Sequence, residues 1–141
     1  MTKSAFPWLY LGLGFAQTAH SIEEVLTGLW NWKPAPSDEL LSRLAELPPF
    51  IWSEEGFAAA NLVVVALLLG FSPLVFMRLP WAWKVARVVA IIETLNGMLH
   101  LTVALVSGGY FPGCISGVAL IALSIPIWAI PRIRRLPSGT D

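Results

Sequence analysis

Charge is what this sequence has least of. Lysine and arginine together number nine, aspartate and glutamate nine, and charged residues make up 13% of a 141-residue chain. A soluble globular protein carries about 25%. The chain is also 56% hydrophobic, with a mean hydropathy of +0.69. One domain of this size has too much surface to hide that apolar area in water, which argues against a water-facing fold and for lipid as the solvent. The net charge is zero, so no basic field attracts nucleic acid. Cys114 is the single cysteine, which excludes an internal disulfide and reads as a small apolar residue. Histidine occurs only twice, at His20 and His100, both inside apolar segments. There is no internal repeat and no low-complexity tract.

Long apolar runs fill the space that charge leaves. A membrane-spanning helix needs about 20 mostly apolar residues. Four segments qualify: about Phe6 to Trp30, Gly56 to Phe76, Trp81 to Val106, and Gly113 to Ile130. Lys33-Pro34-Ala35-Pro36, Arg78-Leu79-Pro80 and the glycine-rich "SGGYFPG" (107–113) break them apart. Tryptophans 8, 30, 32, 52, 81, 83 and 128 fall near the ends, as an interfacial belt requires. The expected fold is all-α: one integral-membrane four-helix bundle over residues 1–141. "SDELLSRLAEL" (37–47), with Ser37 as N-cap and leucines on one face, is expected to lie along the membrane surface as a short interfacial helix. The first segment reads as a span rather than a cleaved signal, because Lys3 is its only leading positive charge and Gln17 suits no cleavage site after Ala19. Lys3, Arg78, Lys84, Arg87, Arg132, Arg134 and Arg135 fall on one side of this topology. Lys33 and Arg43 share the other side with five acids, so both termini are expected to be cytoplasmic.

Polar residues at membrane depth need a reason, because an ionised group there is costly. The first and third spans run in the same direction. At 1.5 Å per residue, His20 lies roughly 18 Å beyond Trp8, while Glu93, Asn96 and His100 lie roughly 15, 20 and 25 Å beyond Trp83. Gln17, His20, Glu24 and Thr27 share one helix face, with Glu23 beside it. Glu93, Asn96 and His100 share another. Asn61 lies at similar depth in the second span, and Tyr110 lies in the turn above. No cationic side chain reaches this cluster, so its carboxylates bind either protons or a metal. Imidazole with carboxylate suits zinc, iron or manganese.

"HSIEE" (20–24), "NGMLH" (96–100) and "YFPGCIS" (110–116) resemble the three motifs of the HXXEE-domain family, small and mostly bacterial multi-span membrane proteins of unknown function. The resemblance runs from the first span to the fourth and implies a location in the bacterial inner membrane. Ser116 stands where some members carry threonine. The family supplies no reaction.

The leading expectation is a membrane-embedded metal-dependent hydrolase acting on a lipid or other hydrophobic substrate. His20, Glu24 and His100 would hold a divalent metal, zinc before iron or manganese, with Glu93 as a further ligand or an orienting carboxylate. Glu23 would act as general base or as a further ligand, and Asn96 and Tyr110 would stabilise an oxyanion. Gly113, opening the fourth helix, and Asn61 would contact substrate; helix packing is the plainer role for Asn61. Two alternatives stand beside this. A two-metal site would suggest lipid oxidation or desaturation. A non-enzymatic transport or assembly subunit would use the carboxylates for protons, cations or packing alone, transport requiring a homo-oligomer.

Overall fold

The computed structural model describes residues 5–33, 42–43 and 53–129. Apart from Ser42 and Arg43, the expected interfacial helix lies outside the described residues. So do Lys3, Arg132, Arg134 and Arg135, which carry much of the expected orientation.

Four α-helices and one short 3-10 turn make up the described chain, with no strand among those residues: α1 (Ala5–Leu26), the turn Leu29–Asn31, α2 (Glu54–Phe76), α3 (Pro80–Val106) and α4 (Cys114–Ala129). The first helix stops short of Trp30 because Gly28 adopts φ 75°, a left-handed conformation that ends a helix at little cost only for glycine. Ser53 starts α2 ahead of its apolar run. Its hydroxyl accepts from the Gly56 N–H at 3.1 Å, and Glu54 and Glu55 in the first turn favour the positive helix end. Pro80 occupies the first turn of α3, where its missing N–H costs nothing.

The helices alternate in direction. Phe6 stacks on Trp83 at 4.2 Å and His20 meets His100 at 4.6 Å, so α1 and α3 run the same way. Trp8 against Phe76 and Tyr10 against Phe71 place α2 antiparallel to α1. The core is built from Phe6, Tyr10 and Leu13 of α1, Val75 of α2, Ala82, Ala86 and Ala90 of α3, and Leu120 and Ile127 of α4, each at most 1% exposed. The three alanines, spaced by four, make one smooth stripe that lets neighbours approach. Farther along α3 the approach becomes backbone to backbone: a Cβ on Gly97 would lie 2.5 Å from the Gly117 carbonyl oxygen. Small residues permit this close helix contact. α2 packs chiefly on α1 and α3 chiefly on α4, which leaves a cleft between α2 and α3 with α1 as its floor.

The outer surface is apolar. Leu62, Val63 and Leu67 of α2 and Ile91, Leu95 and Met98 of α3 are all exposed. Among the described residues, α2 and α3 are long and apolar enough to cross a membrane. Two expected spans fall short of that standard: α4 is a shorter apolar helix of 16 residues, and α1 carries Gln17, His20, Glu23 and Glu24.

Candidate metal centre

His20 and Glu24 stand one helical turn apart on α1, so their side chains project to the same side. The parallel course of α3 brings His100 level with them. Glu24 Oε1 lies 3.2 Å from His20 Nε2 and 3.1 Å from His100 Nε2. The three atoms lie within 4.8 Å of one another, and all three residues are buried.

The protons on the two imidazoles follow from their other partners. His100 Nδ1 is 2.5 Å from the Pro112 carbonyl oxygen, which can only accept, so Nδ1 carries a proton. The Ser116 hydroxyl donates to Glu23 Oε2 at 2.5 Å. With that proton committed, Ser116 Oγ accepts from His20 Nδ1 at 2.9 Å. Both rings therefore hold an Nδ1–H toward the fold and turn Nε2 toward Glu24, which offers a lone pair there wherever the ring is neutral. His20 Nε2 is buried with no hydrogen-bond donor to receive. Three potential acceptors converge on one point, where either a metal ion or protons on the imidazoles would join them. This His–Glu–His group can hold a metal ion.

Glu23 has a different task from its neighbour. Its carboxylate accepts from the Tyr110 hydroxyl at 2.7 Å, the Ile115 N–H at 3.2 Å, the Ser116 N–H at 2.8 Å and the Ser116 hydroxyl. It thus occupies the amides that open α4, where a helix attracts an anion. From the sequence, substrate is expected at this helix start, beside Gly113. Gly113 itself faces the imidazoles. At φ 84° it takes a left-handed conformation, and a Cβ there would lie 2.6 Å from His100 Nδ1 and 2.7 Å from His20 Cε1. Phe111 covers the far side of His100, at 5.2 Å between rings, and Trp32 backs Phe111. Tyr110, at the rim, has its phenol pKa raised above the ordinary value by partial burial and then by the hydrogen bond to Glu23.

Glu93 is buried on α3 but lies outside the three-residue group; Asn96 Nδ2 is 3.5 Å from Glu93 Oε2. Asn61 bonds within its own helix, to the Phe57 carbonyl at 3.3 Å. These three residues, with Gln17 and Glu24, line an open-sided cavity of about 530 Å³ in the cleft between α2 and α3. The structure therefore unites His20, Glu24 and His100, sets Glu93, Asn96 and Asn61 in the adjoining cavity, and draws Glu23 and Tyr110 to the start of α4.

Sequence reasoning missed the work of Ser116 and of the Pro112 carbonyl, although both lie in the quoted "YFPGCIS". Ser116, His20 and Glu24 also stand in line as a nucleophilic triad would. Glu23, however, takes the serine proton and fills the amides that an oxyanion would need, which removes that reading.

No curated protein and no solved structure matches the chain. One family model does, over residues 11–129, a span in which His20, Glu23 and Glu24 read as His-x-x-Glu-Glu. The chain belongs to the family described as proteins of unknown function with an HXXEE motif.

Proposed function

We propose that this protein is a membrane-embedded, metal-dependent hydrolase of lipid-borne substrates, with one divalent cation held by His20, Glu24 and His100. The observation that carries the reading is the convergence of two imidazole Nε2 atoms on one carboxylate oxygen. Ligand atoms about 2.0–2.1 Å from a tetrahedral zinc stand roughly 3.3 Å from one another. Two of the three separations, 3.1 and 3.2 Å, are close to that spacing, and the third lies within 4.8 Å. Charge favours the same account. Glu23 and Glu24 as carboxylates balance one divalent ion. Protons alone would require both buried imidazoles to be charged before Glu24 could bond to both. The exposed apolar faces of α2 and α3 support insertion in lipid.

Two imidazoles and one carboxylate are a ligand set that leaves a zinc position open, and zinc there would supply an acidified water and polarise a carbonyl. The chain's own residues divide the remaining work. The Pro112 carbonyl and Ser116 hydroxyl hold the rings in orientation, as partners of metal-ligating histidines do. Glu93, rather than the fully bonded Glu23, is the carboxylate facing the cavity and able to take a proton. Asn96 steadies Glu93 and offers an amide to substrate. Among the described residues one ligand group forms, and Glu93 stands apart from it, which favours one metal over two.

Elemental analysis of detergent-purified wild type beside His20→Ala tests this. About one zinc per folded chain, lost in the variant, is the expected result. About two irons per chain would shift the reading to lipid oxidation. Folded protein that takes up no metal would leave proton binding or packing as the role of the cluster.

A further inference from the structure

We infer that the cavity between α2 and α3 binds an amphiphile whose head group donates hydrogen bonds and carries no negative charge: a long-chain amine, amino alcohol or amide. The inference names the substrate class of the site proposed above and rests on that reading for the chemistry, though not for the binding.

Three observations point to a donating head. Gln17 is 4% exposed, and its amide Nε2 donates to Ser21 Oγ at 3.2 Å. That leaves Gln17 Oε1 buried and unpartnered in a residue that lines the cavity. A buried acceptor without a donor costs about 1–3 kcal/mol, which a ligand N–H or O–H would recover. Glu93, on the opposite wall, has only the long 3.5 Å contact to Asn96, so its oxygens also have room to accept. Glu24 adds a third carboxyl or carboxamide acceptor to the same space.

Charge settles the sign of the head. The lining holds two carboxylates and no lysine or arginine. Arg87 lies over the Phe6 ring, toward the other end of the bundle. A phosphate or carboxylate head would face Glu93 with no basic side chain of the lining to compensate it, the charge of Glu24 being taken up by the cation proposed above, whereas an ammonium would be attracted to Glu93. Apart from Asn61 and Asn96, the remainder of the lining, including Phe57, Val64, Ile92 and Leu99, is apolar and suits a hydrocarbon chain. The open side lies between the two most lipid-like helices, so the occupant enters sideways from the bilayer.

The test uses the full chain in non-ionic micelles with a photoreactive diazirine analogue of dodecylamine, its adducts mapped by mass spectrometry. Adducts should fall on residues of the cavity. Dodecylamine and N-dodecylacetamide should displace the probe, while dodecyl phosphate should compete at least about tenfold more weakly, a difference of about 1.4 kcal/mol. Gln17→Leu and Glu93→Gln should each weaken capture, and Leu99→Trp should block it by filling the space. Equal competition by dodecyl phosphate, or adducts scattered evenly over the outer helix faces, would overturn the inference. Zinc measured on the same samples separates the two ideas. Head-group selectivity without metal would sink the hydrolase and keep the cavity; metal without selectivity would do the reverse.

Discussion

Ser116→Ala isolates the device that orients His20. In the structure the serine hydroxyl accepts from His20 Nδ1 at 2.9 Å and donates to Glu23 at 2.5 Å. Alanine removes both bonds with almost no change in shape. Glu23 keeps the Tyr110 hydroxyl and the amides of Ile115 and Ser116, so the start of α4 stays anchored. The imidazole loses its fixed tautomer and can turn its proton toward Glu24. Losing the outer partner of a ligating histidine typically costs 10–100-fold in metal affinity, or about 1.4–2.7 kcal/mol. The assay is zinc competition with a chromophoric chelator in micelles, alongside a thermal melt of the metal-free protein. The expected result is weaker zinc binding with a nearly unchanged melt, and recovery in Ser116→Thr. Wild-type zinc affinity in Ser116→Ala would refute the tautomer reasoning. An equal fall in the threonine variant would trace the loss to crowding rather than to the hydroxyl.

Two further outcomes follow from the same geometry. Gly113→Ala should abolish zinc binding while circular dichroism still reports helix, because the new methyl would press on both rings; left-handed φ for a non-glycine residue adds about 1–2 kcal/mol of strain. Tyr110→Phe should cost at most about 1 kcal/mol near neutral pH, since the lost hydrogen bond is at an exposed rim. The folded-state pKa of Tyr110 is raised, so its contribution is complete below the unfolded value near 10 and is lost as pH rises through the folded value. Denaturant melts across that range should therefore decline less steeply in the phenylalanine variant than in wild type.

Much of this was readable along the chain because it depends on near neighbours. Helix starts were marked by Pro80 and Gly113, whereas the stop at Gly28 was overrun to Trp30, and the shared face of His20 and Glu24 follows from their spacing by four. The meeting of His20 with His100 needed one further assumption, that the first and third helices run in parallel, which alternating apolar segments supplied. What stayed hidden was the task of Glu23. The sequence sets it beside the face of His20 and Glu24, but its partner, Ser116, arrives from 93 positions away. The function of Gly113 was hidden for the same reason. A glycine after proline reads as a turn, and only the folded chain shows two imidazoles where its side chain would be.

The doubled glutamate has a mechanical consequence. Neighbouring residues on a helix point about 100° apart, so the two carboxylates address different partners at once. One grips the first amides of α4 and the other reaches across to α3 through His100. Together they work as a key with two teeth. Sliding α1 by a residue, or rotating it to suit one partner, would withdraw both acids from their seats. The pair thus sets the height and the rotation of α1 against its neighbours, and a chain with a single acid at this point would fix one and leave the other free.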